Sequence, residues 1–318
     1  MNTVKLGFVL GRGIKLAAIN YNQNFIPAHG EAVSVAKNVK RITAPNPSPF
    51  TFHGTNSYII GKNNLAIIDP GPLIDEHLDA LLKEIGDKPL THILVSHTHK
   101  DHSPLARVLQ ERTGAKIYAE GPHRASRELN TGEVNPLHES SDMDFAPDVE
   151  LYNGQIIDGG DWQIEAIHTP GHTANHCAFA RIEDQILFSA DHVMAWSSSI
   201  IAPPDGSMRD FMKSLDHLIE RDHSEIFPGH GGEVIDPPVF LQKLKEHRLF
   251  RESSIVKCLT RHDQLTIEEI VGQIYLGLAD NLRRAAGLSV LAHLEDLLEQ
   301  GVVETDGPAQ LDSIYRLK

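Results

Sequence analysis

Cysteine is scarce in this chain of 318 residues, and its scarcity excludes a disulfide-stabilised fold. The two cysteines, Cys177 and Cys258, lie far apart and in no recognisable spacing. Cys177 belongs to an apolar, strand-like run, so burial is its expected role, and a part in a zinc site is the lesser alternative.

Long hydrophobic runs are also lacking: no segment approaches the roughly 20 apolar residues of a membrane helix. The first ten residues show no convincing cleavage site for a signal peptide. We therefore expect no membrane contact and a cytoplasmic location. Basic residues are outnumbered, with 29 Lys and Arg against 43 Asp and Glu. The net charge of −14 disfavours a general polyanion binder.

Histidine, in contrast, is abundant, and three of the 19 histidines stand in the segment His97-Thr98-His99-Lys100-Asp101-His102. A strand-like run precedes it. Alternate residues of an extended chain share a face, so His97 and His99 are expected to point the same way. Asp101 and His102 then follow a bend and can face a second ion. Imidazole and carboxylate groups suit zinc, with manganese or iron as alternatives.

Three further candidate ligands stand at junctions between a predicted strand and a loop. His172 lies in a Thr-Pro-Gly-His-Thr turn, Asp191 ends the apolar run Ile186–Ala190, and His230 lies in a Pro-Gly-His-Gly turn. A rigid strand end can present such side chains to a shared cleft. The sequence therefore predicts that all seven groups converge.

Taken in order, these four segments resemble the metallo-β-lactamase superfamily, over roughly residues 54–231. The resemblance implies an α/β (α+β) fold, an αββα sandwich that holds two metal ions, zinc above all. His97, His99 and His172 would hold the first ion. Asp101, His102 and His230 would hold the second, and Asp191 would bridge the two.

The chemistry implied by such a pair of ions is hydrolysis. A hydroxide shared by the ions would attack an ester, thioester, lactam or phosphodiester, because zinc lowers the pKa of bound water to about 7. Asp101 and Asp191 are the candidate catalytic carboxylates, since either can orient the remaining proton.

Four segments of different character divide the chain. Proline-rich sequence near residue 45 predicts an extended N-terminal arm over 1–45, and alternating strands and helices predict a catalytic domain over 46–236. Residues 237–261 read as a linking helix with six Lys or Arg against two Glu. Residues 262–318 show helix, helix and hairpin, the outline of a winged helix.

The C-terminal pattern extends the resemblance to a branch of beta-lactamase-like proteins that includes a mitochondrial endoribonuclease. Residues 262–318 nevertheless hold four basic and ten acidic residues, a net charge of 4 − 10 = −6. Nucleic-acid binding needs local positive charge, so packing or a homodimer contact is the favoured role of this domain. The basic helix before it is the better candidate for contacting an anionic substrate, although a solvated helix face is the more common role of such a charge run.

The substrate stays open. The endoribonuclease resemblance favours single-stranded RNA, a glyoxalase-II-like enzyme would hydrolyse a small-molecule thioester, and a metal-stabilised structural or regulatory protein is the non-catalytic alternative. Ser103-Pro104-Leu105 and Ala190 stand where many relatives have glycines, which puts the pocket shape in doubt. Other histidines near the motifs are expected to be structural or supporting groups, namely His92, His168, His176 and His192.

Overall fold

Short aliphatic runs build a first sheet of seven strands in the computed structural model, which describes residues 19–318. The strands lie side by side in chain order: β1 Val33–Ala36, β2 Val39–Thr43, β3 Asn56–Ile60, β4 Leu65–Ile68, β5 Leu90–Leu94, β6 Lys116–Ala119 and β7 Val149–Glu150. The first four strands pair antiparallel and the last four parallel. Helices α1, Asp75–Ile85, and α2, Leu105–Thr113, connect parallel strands.

A second sheet of five strands faces the first. It contains β8 Ile156–Asp158, β9 Gln163–His168, β10 Cys177–Arg181, β11 Ile186–Ala190 and β12 Glu225–Pro228, and its spatial order is β12-β11-β10-β9-β8. Strands β11 and β12 are parallel, and helix α3, Met208–Ile219, lies between them in the chain. The Ser207 side chain caps α3 by accepting from the Asp210 backbone amide.

The alternation of side chains along the strands creates the four layers. In β3, Ile59 belongs to the core that includes the leucines of α1 and α2. Its neighbours Tyr58 and Ile60 face the second sheet and pack in one core with Phe179. The outer face of the second sheet packs against α3 and the helix that follows it. The αββα sandwich and the α/β class are therefore confirmed.

The C-terminal region forms a separate small core. Helix α4, Pro237–Arg261, is followed by β13 Leu265–Thr266, α5 Ile267–Ile274, α6 Arg283–Glu299, β14 Val303–Thr305 and β15 Ile314–Leu317. Strands β14 and β15 form the predicted hairpin, with β13 on the outer side of β15. Thr266 and Glu269 form a capping box at the start of α5. The winged-helix outline is confirmed.

Helix α4 belongs to two cores at once. Its first half packs Phe240 and Leu244 against the sandwich, and its second half packs Ile255 and Leu259 into the C-terminal core. The helix coincides with the segment predicted to link the domains, although the domain boundaries as such stay a prediction. None of the helices in residues 19–318 has the combination of length and hydrophobicity needed to cross a membrane.

The prediction of an extended arm over residues 1–45 is wrong in its second half. Residues 1–18 lie outside the described part, but β1 and β2 belong to the first sheet, and Val39 and Ile42 are fully buried. Strand β2 pairs along its whole length with β3. That pairing stabilises a mixed sequence whose own pattern is too short to predict a strand.

The layer between the sheets predicts how stability responds to truncation. Replacing Phe179, which is fully buried there, by alanine should lower the free energy of unfolding by about 3–5 kcal/mol, because it leaves a cavity. Urea denaturation followed by tryptophan fluorescence would measure the change. Phe250→Ala, on the exposed side of α4, is the control and should change stability by about 0.5 kcal/mol or less. Equal effects of the two substitutions would contradict this arrangement of layers.

Candidate metal centre

The seven predicted ligands converge at one edge of the sandwich. His97, His99, Asp101 and His102 lie in the turn between β5 and α2, and the others follow the ends of β9, β11 and β12. Three overlapping groups could hold a cation: His97, His99 and His172; His97, His102 and Asp191; and Asp101, His102 and His230. The convergence that the spacing predicts is thus present, while the role of each residue stays a prediction.

The first group has its ring nitrogens at ligand spacing. His97 Nε2 lies 3.1 Å from His99 Nδ1, and His172 Nε2 lies 3.0 Å from the same atom. Donors arranged tetrahedrally around zinc lie roughly 3.3 Å from one another, given zinc–nitrogen bonds of about 2.0–2.1 Å. Three nitrogens at these separations fit a single cation.

The second group combines two nitrogens with a carboxylate. His102 Nε2 lies 3.3 Å from His230 Nε2, and Asp101 Oδ2 lies 3.4 Å and 3.3 Å from those two nitrogens. The Asp101 side chain is 26% exposed, whereas both imidazoles are buried. Asp101 is therefore the member of this group that faces the open cleft.

Asp191 stands between the two groups. Its Oδ1 lies 3.3 Å from His230 Nε2 and 3.4 Å from His102 Nε2, and its Oδ2 lies 3.6 Å from His172 Nε2. Oδ1 is buried and has no hydrogen-bond partner in residues 19–318. An orphaned buried carboxylate oxygen among imidazoles is what a bridging ligand requires, so the donor set fits a pair of divalent cations.

The protonation of the cluster follows from its burial. Burial, reinforced by the neighbouring His172, lowers the pKa of His99 to about 3. Burial opposes the charge of Asp191, but His230 and His102 outweigh it and hold the pKa of that carboxyl well below its usual range. Burial likewise opposes charge on His230, and the Asp191 carboxylate overrides it and raises that pKa to about 9. The carboxylates are thus ionised, ready to ligate a cation.

Each imidazole except His99 donates from Nδ1 to an acceptor, which leaves Nε2 free for a cation. His172 donates to the Ile200 carbonyl over 2.6 Å, and His230 donates to the Gly54 carbonyl over 3.2 Å. His102 donates to Asp69 Oδ2 over 2.9 Å. His97 lies 2.9 Å from Ser96 Oγ.

Asp69 contacts the predicted ligand His102, and the sequence analysis did not single it out. Its carboxylate accepts from His102, from the Ser96 hydroxyl and from the Ser96 backbone amide, each within 2.9 Å. Because Ser96 uses its hydroxyl hydrogen on Asp69, His97 Nδ1 must donate to Ser96. Asp69 therefore orients two ligands. Asp69 directly follows the buried strand β4, as Asp191 directly follows β11, so the same sequence signal could have identified it.

The two departures from the glycine pattern shape the surroundings. Ala190 adopts φ +44°, a left-handed conformation that costs a non-glycine residue roughly 1 kcal/mol, and it delivers Asp191 to the cluster. Ser103 Oγ donates to Asp142 over 2.8 Å. That bond, with the backbone bond from Lys100 to Ser140, holds residues 137–142 against the ligand turn.

Neighbouring histidines support rather than enter the groups. His176 Nδ1 pairs with Thr169 Oγ1, and its Nε2 lies 3.3 Å from the Asp191 backbone amide. His123 Nδ1 lies 2.9 Å from Oγ1 of Thr98, the residue between the predicted ligands His97 and His99 in the chain. Cys177 is buried in β10 and belongs to none of the candidate groups in the described residues.

A cleft of about 380 Å³ opens over the cluster. Its walls are largely apolar, from Phe50, Leu137, Met194 and Ile200, and Lys100 is the one Lys or Arg among its lining residues within 19–318. The cleft therefore offers an organic substrate an apolar surface beside a polar reaction centre.

Comparison with known proteins agrees with the motifs. The family model of the metallo-beta-lactamase superfamily matches residues 50–230, and that of the beta-lactamase associated winged helix domain matches residues 266–310. A Beta-lactamase-like protein 2 homolog from Caenorhabditis elegans is 30% identical over 276 residues, covering 84% of this chain and 86% of that protein. An Atrochrysone carboxyl ACP thioesterase from Claviceps purpurea (strain 20.1) is 26% identical over 273 residues, with 83% and 80% covered.

Solved structures show the same fold. A beta-lactamase domain protein from Burkholderia ambifaria superposes with a TM-score of 0.77 at 19% identity, covering 94% of this chain and 97% of that one. A metallo-beta-lactamase family protein from Thermus thermophilus gives a TM-score of 0.73 at 24% identity, with 90% and 100% covered. Given this agreement of motifs, geometry and relatives, the chain belongs to the metallo-beta-lactamase superfamily and is a metal-dependent hydrolase with a C-terminal winged-helix domain.

Proposed function

We propose that the chain is a binuclear zinc hydrolase that cleaves a small-molecule acyl thioester or ester. The cleft carries this proposal: four apolar side chains flank the histidine–aspartate cluster, and the lining supplies one cation, Lys100. An acyl group can bury its hydrocarbon part against such walls while its carbonyl reaches the cluster. The acyl-carrier thioesterases among the relatives agree with this substrate class.

Single-stranded RNA is the weaker alternative, because three of the six Lys and Arg residues of α4 are already engaged. Arg248 is buried, Lys245 pairs with Asp216 over 2.6 Å, and Arg251 donates to the Ile274 carbonyl over 3.0 Å. A nucleic acid needs a row of available cations along its backbone. The expectation that this helix contacts an anionic substrate therefore loses support. Association of two copies through the C-terminal domain stays a prediction.

When bound, two zinc ions supply Lewis acidity and make water acidic enough to attack near neutral pH. His97, His99 and His172 would hold one, Asp101, His102 and His230 the other, and Asp191 would join them. Manganese or iron would suit the same donors.

The protein groups then divide the remaining work. Asp101, the exposed carboxylate of the cluster, would accept the proton of the attacking water and hold it over the cleft. The Thr55 hydroxyl donates to Asp101 Oδ2 over 3.3 Å and keeps that carboxylate in place. A thiol leaving group has a pKa of about 8.5, so it departs as thiolate without a strong acid beside it. The walls exclude bulk water from the acyl group.

Removing ligands from both groups tests the metal centre. The double variant His99→Ala/His102→Ala should lose nearly all bound zinc and lower thioester turnover by at least about 1,000-fold, because each cation loses a donor. Elemental analysis of the purified protein and a steady-state assay measure the two effects. His217→Ala/His262→Ala, which removes two exposed histidines, is the matched control and should retain both. Retention of zinc and turnover by the first variant would refute the assignment.

The Asp69 carboxylate provides a finer test of ligand orientation. Asp69→Asn removes the charge that the His102 and Ser96 donors face, and it should weaken zinc binding by about 10–100-fold. Competition with a chromophoric chelator gives the affinity. Asp161→Asn is the control, because that carboxylate binds backbone amides on the far side of the fold. Unchanged affinity in Asp69→Asn would show that Asp69 has only a packing role.

Parallel assays separate the substrate classes. The zinc-loaded protein should hydrolyse a medium-chain acyl thioester, with Leu137→Asp raising its KM by about tenfold through loss of the apolar wall. Chelation should abolish the activity. Single-stranded RNA and S-lactoylglutathione serve as the competing substrates. Chelator-sensitive RNA cleavage without thioester turnover would overturn the proposed substrate, and preference for S-lactoylglutathione would favour the glyoxalase-II-like alternative.

A further inference from the structure

Arg248 is a buried cation without a counter-ion. It lies midway along α4, its exposed fraction is 4%, and within residues 19–318 it forms no ion pair with any carboxylate. Residues 1–18 contain no Asp or Glu, so they supply no acidic partner either. Burial of the guanidinium lowers the pKa of Arg248. An unpaired buried charge is costly, and its presence calls for a compensating role.

The contacts of Arg248 point toward the metal centre. Its Nη2 donates to the Ser199 carbonyl, and the guanidinium lies over the Phe211 ring, 4.9 Å from the ring centre. Its Nε has no hydrogen-bond partner in the described region. The hydrogen bond from the Arg248 side chain therefore goes to a backbone carbonyl of the loop between β11 and α3.

That loop holds an acceptor for a predicted metal ligand. The residue after Ser199 is Ile200, whose carbonyl accepts from His172 Nδ1 over 2.6 Å. Ser199 also fixes the start of the loop, because its hydroxyl donates to the His192 carbonyl over 3.0 Å. One peptide unit thus separates the Arg248 hydrogen bond from the His172 hydrogen bond.

Arg248 is also connected to His172 through Phe211. A Cβ added to Gly171 would lie 2.4 Å from the Phe211 Cα, so the residue before His172 packs directly on Phe211. The Phe211 ring also packs on His192, with the ring centres 4.3 Å apart. Arg248 covers Phe211 from the helix side. Arg248 therefore contacts Ser199, the neighbour of the His172 acceptor Ile200, and Phe211, on which the residue before His172 packs.

The same loop forms one wall of the cleft, through Met194 and Ile200. We propose that Arg248 is a positioning residue, which fixes the 192–201 loop so that His172 meets its cation and Ile200 meets the acyl group. This inference rests on the proposed function, in which His172 is a zinc ligand. An arginine suits the task because a charged donor in a dry environment binds a carbonyl more strongly than a neutral donor does.

Two substitutions of Arg248 test the proposal in the full-length protein. Arg248→Met keeps much of the side-chain volume but removes the donor and the charge. Arg248→Lys keeps a charged donor. Arg251→Met is the matched control, because Arg251 also donates to a carbonyl and stacks on an aromatic ring, at Ile274 and Tyr275 near the C-terminal core.

The first measurement is the affinity for each zinc ion, by competition with a chromophoric chelator. Arg248→Met should lower the affinity for one of the two zinc ions by about tenfold, near the lower end of the effect expected when a ligand loses its hydrogen-bond partner. The affinity for the other ion should stay within about threefold of the wild-type value. Arg248→Lys should recover part of that loss. Arg251→Met should bind both ions like the wild type. The d–d absorption of the cobalt-substituted protein should change in Arg248→Met and not in Arg251→Met.

The second measurement is the KM for the acyl thioester at saturating zinc, which should rise in Arg248→Met because the Ile200 wall is no longer fixed. Wild-type zinc affinity and an unchanged cobalt spectrum in folded Arg248→Met would overturn the proposal. If Arg248→Met does not fold, Arg248→Lys decides: wild-type affinity and spectrum with a lowered melting temperature mean that Arg248 is merely structural. A wild-type protein that fails to bind two zinc ions would overturn the proposed function itself, and this inference with it.

Discussion

The packing of two sheets face to face determines where each predicted metal ligand lies. Large side chains between the sheets, such as Tyr58, Phe179 and Phe188, are buried together and fix the separation and register of the strands. The ends of β5, β9, β11 and β12 then lie at one edge. A side chain placed one to several residues beyond a strand end has little freedom, so donors from distant parts of the chain meet within hydrogen-bond distances. Burial at that edge also leaves Asp191 Oδ1 without a hydrogen-bond partner in the described residues, which favours a cation bound beside it.

How much of this follows from the sequence depends on the range of the interactions. The candidate ligands could be predicted because each one is a histidine or aspartate in the loop that follows an apolar strand. Asp69 obeys the same rule and could have been found by it. The acceptors Ile200 and Gly54 could not, since a backbone carbonyl has no sequence signature, and their distance along the chain from His172 and His230 hides the contact. Strands β1 and β2 were not predicted for a related reason. Strand β2 is stabilised by pairing with β3, and β1 by pairing with β2, and not by their own sequence patterns.

The number of charged residues in a segment predicted function less reliably than the spacing of the candidate ligands did. The excess of Lys and Arg in α4 predicts a cationic surface, but composition does not say which side of the helix each residue occupies. Arg248 faces the sandwich, while Lys245 and Arg251 turn to partners on α3 and at the end of α5. These three of the six cations therefore serve packing and hydrogen bonding, whereas Lys257 and Arg261 are exposed. The acidic composition of the C-terminal domain adds to the same conclusion, because it offers no cation-rich path toward the cleft.

The winged-helix domain acquires a role from this arrangement that needs no nucleic acid. Its core holds the second half of α4 through Ile255 and Leu259, and ion pairs from Arg209 to Asp296 and from Arg127 to Glu295, each at 2.7 Å, join α6 to the sandwich. Since α4 is continuous, fixing its second half also fixes Arg248 in the first. The guanidinium in turn binds the Ser199 carbonyl, one residue before the Ile200 carbonyl that accepts from His172. With the role proposed for Arg248, this chain of contacts makes the winged-helix domain a support for one wall of the cleft.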